Sequence, residues 1–192
     1  GIWKLQFPDK LSRYLDLPQN FDAAIGGQFY RRELEELSGE LTRRGARALE
    51  PELLRDSLRR WNACRARVRE AYALRREAPW KVPTWELYLM LRAGLLLPVE
   101  EFEASLCEYL SAVQTDQTRR PLDQARVVLV GSFCEQPPLG LLRTLERSGC
   151  YIVDDDLVQV FRWMRKDVSV EGDPLSALVA AYLEDGIESP TR

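Results

Sequence analysis

The sequence predicts an α/β fold: a helical connector of about four helices, followed by the start of a doubly wound parallel sheet. Three observations predict it. Between residues 25 and 115 the apolar residues recur at spacings of three and four, the period of helices with one covered face. At Ala125–Val130 the pattern changes to a short β-branched apolar run, the mark of a strand in a parallel sheet. A helical pattern and a second apolar run follow, so the order is strand, helix, strand, one right-handed crossover.

Residues 1–24 read as a connector. Trp3, Leu5 and Phe7 alternate with Lys4 and Gln6, which fits either a short strand or the tail of a helix, and Pro8 and Pro18 break any longer element. The first helix carries Tyr30, Leu34, Leu37 and Leu41 on one stripe and stops at Gly45. The second starts near Pro51 and aligns Leu54, Leu58, Trp61, Cys64, Val68 and Tyr72; Arg55, Arg59, Arg60, Arg65, Arg67 and Arg69 lie mostly off that stripe. A third helix is expected from about Thr84 to Leu96 with Thr84 as its N-cap, and a fourth from Val99 through Val113. Gln114 to Asp123 is a polar linker. Then come a buried strand to Val130, a loop over residues 131–138, a helix from Leu139 to Arg147 stopped by Ser148-Gly149, and a strand Cys150–Val153 capped by three aspartates. Helices over Leu157–Met164 and Pro174–Leu183 complete the pattern. The organisation is a connector over 1–24, a helical region over 25–122 and the start of an α/β domain over 123–192. Two strands cannot cover both faces and both edges of a parallel sheet, so the sequence is expected to be an internal piece of a larger subunit.

Composition narrows the chemistry. A formal charge of −3 offers no basic field for nucleic acid. The longest apolar run, Leu95-Leu96-Leu97, is far below a membrane span, and no charged stretch with an apolar run behind it opens the sequence, so neither a membrane segment nor a secretory leader is expected. There is no histidine, which excludes Ser-His-Asp and Cys-His catalysis and histidine–metal sites within these residues. Cys64, Cys107, Cys134 and Cys150 form no C-x-x-C pair, and a reducing cytoplasm is expected.

In open α/β sheets, ligands bind beyond the carboxyl ends of the strands. The two stretches that follow the strands here are Gly131, Ser132, Phe133, Cys134 and Glu135, and Asp154, Asp155 and Asp156; both are expected to line a cleft at one sheet edge. Cys134 fits an iron ligand or a thiolate nucleophile; the plainer alternative is a loop cysteine with no role. Cys64 and Cys107 read as helix-packing residues and Cys150 as a buried strand residue. The three aspartates fit a magnesium site or, more simply, a cap on the next helix. The arginine-rich helix fits a phosphate site or, more simply, a solvated face with glutamate neighbours. Neither Gly26-Gly27 nor Gly131-Ser132 has nucleotide-binding spacing.

The stretches Val127–Leu141, with Gly-Ser-Phe-Cys-Glu-Gln-Pro-Pro at its centre, and Ser148–Asp156 resemble the gamma-type (C-type) catalytic subunits of the benzoyl-CoA reductase and 2-hydroxyacyl-CoA dehydratase family. So do Gly1–Leu5, Leu17–Asp22, Ala78–Pro83 and Arg92–Leu95, in the same order. The resemblance implies a subunit of two α/β domains, of which this sequence would hold the end of the first, the helical connector and the start of the second. It implies a [4Fe–4S] cluster in the complete subunit, a paired B-type catalytic subunit, ATP-hydrolysing activator subunits that use ATP and magnesium on their own chains, ferredoxin as electron donor, and an aromatic acyl-CoA reduced to a cyclic dienoyl-CoA. Related dehydratases carry a ligating cysteine directly after an Asp-Asp-Leu stretch; here Asp155-Asp156-Leu157 is followed by Val158, which cannot ligate iron. That leaves Cys134 or residues beyond this sequence as ligands and favours the reductase. The alternatives are a 2-hydroxyacyl-CoA dehydratase subunit and a non-catalytic helical interaction module.

Overall fold

The computed structural model describes residues 2–130, 137–157 and 165–187, with side chains as far as 184 in the last stretch. The fold is α/β. Its elements are α1 (Ile2–Gln6), a π-helical turn (Ala23–Gly27), α2 (Gln28–Arg43), α3 (Pro51–Glu77), α4 (Thr84–Ala93), α5 (Val99–Thr115), β1 (Ala125–Leu129), α6 (Leu139–Arg147), β2 (Cys150–Asp155) and α7 (Pro174–Ile187). The start of the chain resolves to a helix, not a strand. The expected helix over Leu157–Met164 falls, but for Leu157, outside the described residues. Contacts divide the chain into two compact units: residues 1–56 with 168–192, and Ser57–Asp167.

In the first unit, the side chain of Asp22 accepts hydrogen bonds from the amides of Ala24 and Ile25 and so opens the π turn that leads into α2. Gly26 is required there. A Cβ at that position would stand 1.6 Å from the carbonyl oxygen of Asn20, so the preceding loop can lie against this turn only if residue 26 has no side chain. α2 ends as its sequence predicts, with Gly45 at φ 97°, a conformation that costs a glycine little. Arg13 reaches three glutamates of α2: Glu33 at 3.3 Å, Glu36 at 2.9 Å and Glu40 at 3.5 Å. α7 is capped by Asp173, which accepts from the amide and hydroxyl of Ser176 and pairs with Arg31 at 2.7 Å. The Ser176 and Arg31 hydrogen bonds hold the Asp173 carboxyl well below the usual carboxylate range.

The second unit contains the main apolar core. Cys64, Val68, Ala71 and Tyr72 of α3 pack with Leu87, Tyr88 and Leu91 of α4, Phe102, Leu106, Leu110 and Val113 of α5, Leu142 of α6 and Ile152 of β2. Each helix contributes one stripe at three- and four-residue spacing, as its sequence requires. The linker after α5 is pinned by Arg119, which forks onto Glu86 at 2.8 and 3.0 Å and donates to the carbonyl of Lys81.

β1 and β2 are parallel neighbours joined through α6. β1 is not buried, contrary to its apolar sequence: Val127 and Leu129 are half-covered against the core, while Val128 and Val130 are 57% and 81% exposed. A strand reads as apolar on both faces when both are covered. Among the described residues, helices cover one face of this sheet and β1 has one neighbour.

Candidate functional site

The carboxyl ends of β1 and β2 lie side by side. Pairing runs Ala125 with Cys150, Arg126 with Tyr151 and Val127 with Ile152; it then shifts, so that Val128 faces Asp154 and Leu129 faces Asp155. Val153 is the extra residue, a bulge. Beyond it, the amide of Asp156 still donates to the carbonyl of Leu129 at 3.2 Å. Residues 130 and 156 therefore leave the sheet at one edge. Gly131, Ser132, Phe133, Cys134 and Glu135, expected at that edge, lie outside the described residues, as does Val158.

The three aspartates have separate fates. Asp155 turns inward: its side chain and that of Arg75 are each 1% exposed, and they pair at 2.7 Å. The hydroxyl of Tyr72 donates to the same carboxylate oxygen at 3.3 Å, and the amide of Leu157 donates to the other at 3.3 Å. Asp154 stays half-buried, 2.8 Å from Arg76 and 3.8 Å from Arg75. Asp156 bonds through its amide. Asp154 and Asp155 are thus neutralised by arginines of α3, the helix whose arginine face fits either phosphate binding or solvation on sequence alone. The other arginines of that helix also meet acids: Arg60 pairs with Glu100, Arg67 with Glu70, and Arg69 with Asp167 at 2.9 Å.

Arg75 is not among the arginines that the sequence pattern marks. It continues the apolar stripe of α3 by one step beyond Tyr72, and a charge on that stripe is the available signal. Its guanidinium lies 4.2 Å from the Tyr72 ring centroid, a cation–π contact, and its other terminal nitrogen donates to the Thr84 hydroxyl at 3.4 Å. Thr84 in turn donates to the carbonyl of Ile152 at 3.1 Å. Contrary to the sequence expectation, Thr84 is therefore not the N-cap of α4; Pro83 holds that place without a side-chain acceptor, and Thr84 turns its hydroxyl into the core. The open amide of Thr84 is satisfied by Glu146 of α6 at 2.7 Å. Burial pushes the Glu146 carboxyl up, against the pull of the Thr84 hydrogen bonds and of Arg75. Burial and the Asp155 charge likewise push the hydroxyls of Tyr72 and Tyr88 up.

A family model described as 2-hydroxyglutaryl-CoA dehydratase, D-component, matches residues 1–191. The chain belongs to that family. Within it, the C subunit of benzoyl-CoA reductase from Thauera aromatica is 46% identical over all of this chain and half of its own length. The beta subunit of lactoyl-CoA dehydratase from Anaerotignum propionicum is 27% identical over 86% of this chain and 44% of its own. The chain spans about half the length of these relatives. The resemblance read from the short stretches is thereby upheld over the whole chain.

A cubane cluster, which that resemblance implies, needs three or four converging thiolates. Among the described residues, no group of three or more cysteine, aspartate, glutamate or histidine side chains could hold a metal ion. Cys64 is fully buried on the α3 stripe, and desolvation, with Glu103 nearby, pushes its thiol up to about 11. Cys107 is exposed on α5; Cys150 is half-buried, not buried as expected, at the amino end of β2, the far end of the strand from the aspartates. These thiols do not fit a cluster, and no chemical step is assigned to them. Among the described residues, no helix is long and apolar enough to cross a membrane.

Proposed function

We propose that the complete protein is the C-type catalytic component of a benzoyl-CoA reductase, which reduces the ring of an aromatic acyl-CoA to a cyclic dienoyl-CoA. The single observation that carries this reading is 46% identity to such a component over the entire chain. In this reading the protein pairs with a B-type partner and holds a [4Fe–4S] cluster on thiolates other than Cys64, Cys107 and Cys150. Activator subunits hydrolyse ATP with magnesium, ferredoxin supplies electrons, and the complex works in an anaerobic cytoplasm. The cluster, when bound, supplies low-potential electrons. The residues of this chain contribute a frame: Arg75 and Arg76 of α3 hold the end of β2, and the cleft beyond that edge takes in Cys134 and its neighbours.

A second reading, a 2-hydroxyacyl-CoA dehydratase subunit, is favoured by the family description and by the lactoyl-CoA dehydratase relative. The two part on product. The purified anaerobic complex, given reduced ferredoxin and ATP, is expected to convert benzoyl-CoA to a dienoyl-CoA and to leave lactoyl-CoA unchanged. Formation of an enoyl-CoA from a 2-hydroxyacyl-CoA, with benzoyl-CoA untouched, selects the dehydratase. Iron analysis of Cys134→Ser against Cys107→Ser in the same complex tests the ligand assignment: iron loss is expected in the first and not in the second.

A further inference from the structure

Ile152 and Asp155 both point into the core, although they are three residues apart. A regular strand, with its period of two, sends them to opposite faces. The bulge at Val153 brings them to the same one. It thereby turns a carboxylate into a face that is otherwise apolar, where Arg75 meets it. The network around them is only partly satisfied. Among the described residues, the buried Nε of Arg75, hydroxyl of Tyr88 and Oε2 of Glu146 have no hydrogen-bond partner. A buried ion pair in a half-satisfied network is a poor source of stability, and apolar residues of similar volume hold such a place as well or better. What the pair does fix is direction. One oxygen of Asp155 takes Arg75 and Tyr72, and the other takes the amide of Leu157. These bonds tie residues 155–157 to an arginine that lies on a helix 80 residues earlier.

We propose that Arg75 is a positioning residue: acting through Asp155, it sets the direction in which the chain leaves the carboxyl end of β2, at the edge where the acyl-CoA chemistry proposed above is carried out. This rests on that reading for its functional meaning, but the backbone effect does not.

The test uses the complete anaerobic complex with Arg75→Met/Asp155→Leu in this protein. The double variant is expected to assemble and to melt within a few degrees of wild type. Its kcat is expected to fall at least tenfold with KM changed less than threefold. In residue-resolved hydrogen exchange, the amides of Asp156 and Leu157 are expected to exchange at least tenfold faster, while that of Ile152 is unchanged. Wild-type kcat with wild-type exchange at Asp156 and Leu157 overturns the proposal and leaves the pair a packing feature. Should the double variant fail to assemble, Arg75→Lys decides. It keeps the buried charge but cannot reach Asp155 and Thr84 with one fork, so faster exchange at the same two amides is expected, and unchanged exchange overturns the proposal. Exchange needs no substrate. If the wild-type complex dehydrates a 2-hydroxyacyl-CoA instead of reducing benzoyl-CoA, the proposed function falls while the positioning claim is judged on exchange and on the kcat of that dehydration.

Discussion

In the second unit, the pair Arg75–Asp155 is hidden from water, whereas the pairs of the first unit, Arg13 with Glu33, Glu36 and Glu40 and Arg31 with Asp173, are partly or largely open to it. The apolar residues divide in the same way. The core of the second unit is a continuous cluster drawn from four helices and a strand, with Leu87, Leu91, Phe102, Leu106 and Leu142 almost fully covered. The first unit buries Pro18, Gly26, Gly27, Val168, Leu175, Val179 and Leu183, and packs Tyr30 on Tyr182 at 4.6 Å. Two glycines, a few aliphatic side chains and the aromatic pairs Trp3–Phe7, Phe21–Tyr182 and Tyr30–Tyr182 do there what a larger continuous apolar core does in the second unit. The difference teaches where a charge matters. An exposed ion pair is screened and worth little, while a buried one cannot lose a partner without leaving the other stranded.

The largest effect expected follows from that contrast. Arg75→Met alone leaves the Asp155 carboxylate buried without its cation, and should cost about 3–5 kcal/mol of stability in the second unit, measured by denaturant unfolding of the full chain. A loss no larger than that from removing an exposed arginine such as Arg60 would erase the distinction between buried and open pairs. Truncation sharpens the same point. Leu106→Ala and Leu183→Ala remove the same atoms; the first lies in the dense core and should fall near the top of the roughly 2–5 kcal/mol range for such changes, the second near the bottom. Equal losses would mean that the first unit is packed as tightly as the second.

A smaller effect, confined to the first unit, is expected from Gly26→Ala. The new methyl would collide with the backbone of Asn20, so the loop must move, at a cost of about 1–3 kcal/mol and with faster proteolysis between residues 8 and 22. The smallest concerns pH. Burial raises the Glu146 carboxyl above its ordinary value of 4.5 in the folded chain. A carboxyl raised on folding favours the folded state while protonated, and that contribution fades as pH rises from the ordinary value through the raised one. The contribution of Glu146 to stability should therefore fall with pH just above 4.5, and Glu146→Gln, which cannot titrate and keeps an acceptor for Thr84, should lose less stability than wild type as pH rises through that range. Identical slopes in the two proteins would show that Glu146 does not titrate differently on folding.

Much of this was legible in the sequence. The stripes of α2, α3, α4 and α5, the glycine stops at Gly45 and Gly149, and the change of period at Ala125 are local signals, and the elements lie where they put them, except that α4 ends at Ala93, short of the expected Leu96. Three features were not legible, for three reasons. The openness of β1 depends on how many strands stand beside it, which no pattern within the strand records. The cap of α4 comes from Glu146, 62 residues away, so a local reading settles on Thr84. The inward turn of Asp155 depends on the bulge at Val153, and a pattern of two carried straight through the strand assigns Asp154 to that face instead. At the edge itself, the separate roles of the aspartates could not be told from three identical letters. Arg75 distinguishes them only by arriving from α3.

The first unit is assembled from two stretches of chain, 1–56 and 168–192, and its Arg31–Asp173 bond closes a separation of 142 residues. The second unit lies in one stretch, and among the described residues its two strands are joined by a single short helix. These are different entropic problems. The second unit can be completed from near neighbours as soon as residue 167 is available, while α2 must wait for α7 with the whole intervening chain as its loop. During synthesis, residues 1–56 are therefore made before the second unit but finished after it, and until then the ring of Tyr30 and the backbone at Gly27 lack their α7 partners.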